Sequence, residues 1–281
     1  MSKKKFDHEP VSVSLSQNGN EEYNLTTFNG GIAGGKSSEE CFIQALDRIK
    51  LNTDLIFLQE LPNSKNCLTS VNEEYFAQRD QDTAILAKRS RFSVFMSNFE
   101  KKKGKDFENA KYILNEEIRN RQSTVYMTDK KGHGLVAISW HGRYKINKTD
   151  KKVDFFRLLL YAKEIREIFT AAVIIGGDFN FSAKTALAII NEKDHFSLHA
   201  ADAEKRERVV DYFIFLPLVV SLSKAVAIDI NTKLLTNFYT MNVNSPNTSA
   251  TATESPPDPP VGASAESLNH NKRKNNKPLQ S

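Results

Sequence analysis

The sequence predicts an α/β fold, and three observations carry that expectation. Apolar runs of strand length alternate with segments whose apolar residues recur at helical spacing. Turns rich in Gly, Asn and Asp separate several of them. Polar side chains stand where strand-like runs end, a place where strands hold a ligand group rigid while the following loop stays open to substrate.

Tyr23–Phe28 reads as a strand that stops at Asn29-Gly30-Gly31. Ser37 and Glu40 have capping-box spacing, and Phe42, Ala45, Leu46 and Ile49 then form one helical stripe that ends near Leu51-Asn52. Leu55–Leu58 is a short buried strand that delivers Gln59 and Glu60. Thr83–Ala87 and Phe92–Met96 read as neighbouring strands. Ser123–Met127 and Leu135–Trp140 flank Asp129-Lys130-Lys131-Gly132 as a hairpin whose second strand presents His141. A helix over Val153–Phe169 places Phe155, Leu158, Leu159, Ala162, Ile165 and Phe169 on one stripe. Ala171–Ile175 is an all-apolar strand that releases Gly176-Gly177-Asp178-Phe179-Asn180. Ser182 caps a short helix through Ala183–Ile190, and Arg208–Phe215 is a strand carrying Asp211.

This divides the chain into an N-terminal segment (1–21), a globular domain (22–241) and a tail (242–281). The tail is dominated by Asn, Ser, Thr, Pro and Ala, too polar to offset its own chain entropy, and is expected to be disordered. The chain has 281 residues, 40% of them hydrophobic, with 18 Phe and 8 Tyr, enough to build one large core. Its longest apolar run, Val209–Val220, is broken by Asp211 and Pro217 and falls short of a bilayer span. Lys3, Lys4 and Lys5 are followed by Asp7, His8, Glu9 and Pro10, not by an apolar segment, which argues against a secretory signal. Cys41 and Cys67 make neither a disulfide framework nor a metal cluster and read as reduced thiols, so a cytoplasmic or nuclear location is expected. The net charge of +5 collects in patches: Lys88-Arg89 with Arg91, Lys101–Lys105, Lys151-Lys152 and Lys272–Lys274. These either steer a phosphate-bearing substrate or lie on solvated loops.

Chemistry enters at the strand ends. A carboxylate set against an apolar strand, as Glu60 and Asp178 are, must be solvated, paired or bound to a cation. Oxygen ligands of this kind suit Mg²⁺, whereas the plainer reading makes each acid a loop residue or helix cap. Asn29 and Asn180 add amides that can hold water or a phosphate oxygen without adding negative charge. The imidazole of His141 could donate to a phosphoryl oxygen. Separation of Glu60 from Asp178 by more than about 12 Å would rule out a shared Mg²⁺ site.

In order along the chain, Phe28-Asn29, Leu58-Gln59-Glu60, Ser139-Trp140-His141-Gly142, Gly177-Asp178-Phe179-Asn180 and Arg208-Val209-Val210-Asp211-Tyr212-Phe213 resemble the successive signatures of the endonuclease/exonuclease/phosphatase superfamily. The resemblance spans about Tyr23 to Phe215, and its Leu-Gln-Glu and Gly-Asp-Phe-Asn segments are the specific ones. It implies a four-layer sandwich of two packed mixed β-sheets flanked by helices, and a Mg²⁺-dependent phosphodiesterase, nuclease or phosphatase, with Mn²⁺ able to replace Mg²⁺. It further implies Glu60 as the principal metal ligand with Asn29 assisting. Asp178 would orient or deprotonate the attacking water, Asn180 would position that water or the phosphate, and His141 would bind a phosphate oxygen. Asp211 would orient a second histidine. The implied partner is a phosphate-containing substrate, nucleic acid among the candidates, and the chain is expected to act as a monomer.

The pattern breaks at its end. That second histidine normally belongs to a closing Asp-His pair after the segment around Asp211, and here Asp229 is followed by Ile230, while His270 lies in the tail. His195 and His199 precede Asp211 and read as loop residues. Losing a histidine that stabilises the transition state costs orders of magnitude in rate. The second reading is therefore an inactive member of the fold that binds nucleic acid or protein.

Overall fold

The strand-like runs pair into two mixed sheets. The computed structural model describes residues 6–17, 21–32, 35–64, 66–96, 101–190, 195–200 and 209–217. The five-stranded sheet contains β1 (Val11–Gln17), β2 (Glu21–Asn29), β5 (Leu55–Gln59), β6 (Tyr75–Asp80) and β7 (Thr83–Lys88), in the order β1-β2-β5-β7-β6. The six-stranded sheet contains β8 (Phe92–Met96), β9 (Gln122–Asp129), β10 (Gly134–His141), β11 (Ala172–Asp178), β12 (Ser197–Ala200) and β13 (Asp211–Leu216), in the order β12-β13-β11-β10-β9-β8. Two short strands, β3 (Gly31–Ile32) and β4 (Gly35–Lys36), pair separately. The helices are α1 (Glu39–Ile49), α2 (Lys101–Ala110), α3 (Glu116–Arg119), α4 (Lys148–Phe169) and α5 (Ala183–Leu187).

Side-chain alternation along the strands makes the layers. Leu55 and Phe57 of β5 face the second sheet, where they join Ala137, Ile174 and Phe213 in a core between the sheets. Ile56 and Leu58 point the other way and pack with Phe42 and Leu46 of α1. On the second sheet, Val136, Ile138 and Trp140 point outward against Phe155, Leu158 and Ile165 of α4. A strand buried on both faces reads as a continuous apolar run, and this is why Leu55–Leu58 and Val173–Ile175 were legible as strands. Burying each such side chain contributes about 1.5–3 kcal/mol. The result is the α/β sandwich expected from the sequence, with helices outside two face-to-face sheets.

Several local expectations shift. The helix cap is Ser38, whose hydroxyl accepts from the Cys41 amide, and not Ser37. Helix α4 starts at Lys148, earlier than its apolar stripe, because Asn147 caps it through the Asp150 amide. β7 and β8 are not paired: a turn after Lys88 carries the chain from one sheet to the other. Lys101–Lys105 lies in α2, not in a loop, and His199 lies in β12, while His195 sits in a turn at φ 59°. Val11–Gln17 pairs along β2 from Val11–Thr27 to Gln17–Glu21, adding an edge strand from the N-terminal segment. Asp211 is the first residue of its strand, not embedded in it. Cys41 and Cys67 are both free thiols. Arg208, Lys224–Ile228, Asp229, Ile230, the whole tail with His270 and the Lys272–Lys274 patch lie outside the described residues. Among the described residues, no helix is long and apolar enough to cross a membrane.

Candidate active site

Strand register decides which residues meet. β2 and β5 are parallel with Asn29 opposite Gln59, so Asn29 and the next residue after β5, Glu60, leave the first sheet at the same edge. β10 and β11 are parallel with His141 opposite Asp178, and β13 runs antiparallel with Asp211 opposite Asp178. Three polar residues therefore leave the second sheet side by side. Polar cross-links lock the two edges together: Gln59 Nε2 donates to Ser139 Oγ at 3.0 Å, and Ser139 Oγ donates to the Leu58 carbonyl at 2.9 Å. Burial makes such satisfied polar links specific for one stacking of the sheets.

The amide of Asn29, fully buried, spans the gap between sheets. Its Nδ2 donates to Asp178 Oδ2 at 2.9 Å and to Glu60 Oε1 at 3.2 Å, while its Oδ1 accepts from the Gly31 amide at 2.8 Å. Glu60 itself sits at φ 52°, a left-handed conformation that costs energy for a residue with a side chain and recurs where function fixes geometry. A Cβ at Gly31 would lie 2.5 Å from Glu60 Oε2, so a side chain there would push the carboxylate aside.

Asp178 is 1% exposed and holds three N–H donors. Oδ1 accepts from the Asn180 amide at 2.8 Å, and Oδ2 accepts from Asn29 Nδ2 and from Asn180 Nδ2 at 3.1 Å. A carboxylate offers about four lone-pair directions, so one remains for a further donor such as water. Asn180, at φ 48°, also donates to the Gly142 carbonyl at 3.0 Å. Arg121 clamps the same turn, with Nε on the His141 carbonyl at 2.7 Å and Nη2 on the Gly142 carbonyl at 3.1 Å.

His141 lies between two acids. Nδ1 is 3.2 Å from Asp82 Oδ2, in the turn between β6 and β7, and Nε2 is 3.3 Å from Glu60 Oε1. Burial works against protonation, but these two hydrogen bonds outweigh it and raise the His141 pKa above its ordinary value. The His141 hydrogen bond in turn holds the Glu60 carboxyl below its usual range, against burial and with help from Asn29.

Asp211 finds a histidine partner, and it comes from the other end of the chain. His8 Nδ1 lies 2.7 Å from Asp211 Oδ2, across 203 residues of sequence, and His8 Nε2 lies 3.8 Å from Asp178 Oδ2. The Asp211 hydrogen bond raises the His8 pKa to about 9 against the opposing effect of burial. Burial pushes Asp211 up to about 6, with His8 opposing and Asp178 adding to the shift. Asp211 Oδ1 is buried and has no hydrogen-bond partner among the described residues.

Two groups of side chains could hold a cation: Glu60 with His141 and Asp178, and His8 with Asp178 and Asp211, the ligand atoms within each group lying inside 4.8 Å. Glu60 and Asp178 are thus far closer than a site without shared chemistry would require. The first group gives two carboxylates and an imidazole, donors that Mg²⁺ and Mn²⁺ accept, while Asn29 presents Nδ2 to both acids and gives its oxygen to the Gly31 amide. Asp178 is already held by three N–H groups, so Glu60 is the carboxylate of that group more open to a cation.

Asn29, Glu60, His141, Asp178, Asn180 and Asp211 are all brought together. Asp82, Arg121 and His8 were missed. His8 has no signal in linear spacing, because the resemblance places the histidine for Asp211 downstream, and the partner comes from upstream through a side-chain contact across the fold. The class so defined is an α/β sandwich with carboxylates, amides and imidazoles collected where its strands end.

No family model matches this sequence, and no curated protein matches it. Solved structures with a similar fold include a D. rerio TDP2 humanized by 14 mutations, at 15% identity and TM-score 0.48, covering 76% of this chain and 85% of that one. The human Nocturnin catalytic domain is similar at 12% identity and TM-score 0.45 (74% and 83% covered). A Bacteroides thetaiotaomicron mannosyl-6-phosphatase is similar at 13% identity and TM-score 0.49 (69% and 85% covered).

Proposed function

We propose that this chain is a divalent-metal-dependent phosphoester hydrolase of the endonuclease/exonuclease/phosphatase type. The observation that carries the reading is the Asn29 side chain, which ties Glu60 of one sheet edge to Asp178 of the other. A purely structural fold gains little by burying an amide between two acids at the mouth of its sandwich. A reaction centre needs that arrangement.

Glu60 would hold Mg²⁺ or Mn²⁺, with Asn29 assisting by fixing the carboxylate through Nδ2. When bound, the cation supplies positive charge beside the scissile phosphoryl group. The chain's own residues do the rest. Asp178, fixed by its three N–H donors, accepts a proton from the attacking water at its remaining lone pair. The Asn180 side chain keeps Asp178 and the Gly142 turn in register. His141, oriented through Nδ1 by Asp82, would donate from Nε2 to a phosphoryl oxygen. Preorganised donors of this kind account for the larger share of stabilisation in such reactions.

Nucleic acid is the substrate class we favour. Lys151 donates to the Asn180 carbonyl at 2.8 Å and lies 5.6 Å from the Tyr144 ring centroid, and that ring is 70% exposed. A cation and an open aromatic face beside the centre suit a phosphate with its base. The inactive reading rests on the absent closing Asp-His pair and the basic patches, and the contact of His8 with Asp211 supports the active one.

The test is hydrolysis of bis-p-nitrophenyl phosphate and of a single-stranded oligonucleotide by the full chain, with Mg²⁺, with Mn²⁺ and with chelator. Metal-dependent turnover that falls by about 10³ or more in Glu60→Gln supports the proposal. Turnover indifferent to metal, or to Glu60→Gln, sinks it.

A further inference from the structure

Helix α4 is apolar on two sides. Its inner stripe, with Phe155, Leu158 and Ile165, is buried against the second sheet. Its outer side carries Val153, Phe156 and Leu160 at the spacing of one helical face, and these are 46%, 54% and 39% exposed. Six large hydrophobic side chains are exposed among the described residues, and half of them stand together here. Ile113, from the turn between α2 and α3, and Ile189, just past α5, wall an open groove of about 640 Å³ over this face. Apolar side chains scattered singly need no partner, but a helix that is apolar on two sides is ordinarily packed on both.

The sequence holds a segment with the complementary need. Residues 218–241 lie outside the described residues and inside the globular domain expected from the sequence. They include Leu218-Val219-Val220, Ala225-Val226-Ala227-Ile228 and Leu234-Leu235, with charge only at Lys224, Asp229 and Lys233. Left in water, such a run forgoes about 25 cal/mol for every Å² of apolar surface it could bury.

The segment also starts in the right place. β13 pairs Leu216 with Val173, near the beginning of β11 and a few residues past Phe169, where α4 ends. The chain therefore leaves β13 beside the C-terminal end of α4, at an exposed Pro217. From Phe169 back to Val153 the helix rises about 24 Å, a span that about eight extended residues cover. A second copy fits the groove less well. Lys152 and Arg157 line it, and a two-fold contact of this face with itself would gather like charges.

We propose that residues 218–241 cover the outer face of α4, burying Val153, Phe156 and Leu160 within the same chain. The helix that ties Lys151 to the Asn180 carbonyl is then packed on both faces.

The experiment is photo-crosslinking of the full chain with p-benzoylphenylalanine in place of Phe156, adducts being mapped by mass spectrometry, beside limited trypsin digestion. Trypsin can cut residues 218–241 only after Lys224 and Lys233. The expected adducts join position 156 to residues 218–241 of the same chain. Phe156→Asp is expected to speed cleavage at Lys224 and Lys233 at least about tenfold, the effect of one buried apolar side chain on the opening of a docked segment. Leu51→Asp, at a side chain 67% exposed elsewhere on the surface, is expected to leave that rate unchanged. Neither substitution touches a buried side chain, and far-UV circular dichroism of both variants should match wild type. Adducts to any other stretch, or none, overturn the proposal. So does a cleavage rate that Phe156→Asp leaves unchanged, or that Leu51→Asp raises equally. Adducts joining two chains assign the face to a second copy and overturn it as well.

Discussion

Among the described residues, the two shortest Asp–His pairs are nearly equal in length, and they are opposites. His133 Nδ1 lies 2.8 Å from Asp129 Oδ2, and His8 Nδ1 lies 2.7 Å from Asp211 Oδ2. The first pair is local, in the turn between β9 and β10, and its acid is saturated. Asp129 accepts from the Lys131 and His133 amides at 2.8 Å each and from Tyr23 Oη at 3.0 Å. His133 is half exposed and faces solvent. The second pair joins distant parts of the chain, leaves an acid oxygen without a partner among the described residues and points its other nitrogen at a third carboxylate. A saturated carboxylate holds a turn, whereas the under-satisfied one lies buried beside another acid.

The largest expected difference is in activity. Asp178→Asn should lower kcat on a phosphodiester by about 10³ or more, whereas Asp129→Asn should leave it unchanged, measured at saturating Mg²⁺. Equal losses in the two variants would erase the distinction. Stability should reverse the order: Asp129→Ala strands two backbone amides and a buried Tyr hydroxyl and should cost about 1–3 kcal/mol in urea unfolding, while His133→Ala should cost less than about 1 kcal/mol.

The pairs should also respond to pH with opposite sign. Hydrogen bonds from His133, Tyr23 and Lys131 outweigh burial and hold the Asp129 carboxyl below its usual value. Its stabilisation is therefore present above the unfolded carboxylate pKa and is lost as pH falls through the folded one. His8 is raised to about 9, so its stabilisation is full below the unfolded imidazole value of about 6.5 and is lost as pH rises toward about 9. Asp211, raised to about 6, adds a loss in the same direction at lower pH. Melting temperature followed from pH 6 to 9 should decline in wild type and decline less in His8→Ala, and Asp129→Asn should flatten only a separate acid series taken below about pH 5.

Much of the fold was legible because apolar patterning records burial. β5 and β11 are buried on both faces and read as unbroken apolar runs, and α4 shows its stripe plainly. Elements whose reason to exist is a neighbour were harder. β1 alternates Val11, Val13 and Leu15, a pattern that has meaning only against β2, and it lies in a segment set apart from the domain in the sequence reading. β6 is largely half-buried, with a polar end, and left no such signal. The switch of sheets between β7 and β8 has no local signature at all. At the site, the strand ends bearing Asn29, Glu60, His141 and Asp178 could be found along the chain, but their meeting depends on two parallel registers that sequence does not display. Asp82 and His8 reach the centre only through the tertiary fold.

In the proposed function the strand-end acids, and not the turn acid, hold the cation. Mn²⁺ titration of the full chain, followed by electron paramagnetic resonance of the free ion, tests it most directly. The account expects binding to wild type and to Asp129→Asn with equal affinity, and at least about tenfold weaker binding to Glu60→Gln, on the scale of losing a metal-site residue. Binding that Glu60→Gln leaves intact, or that Asp129→Asn abolishes, would contradict it.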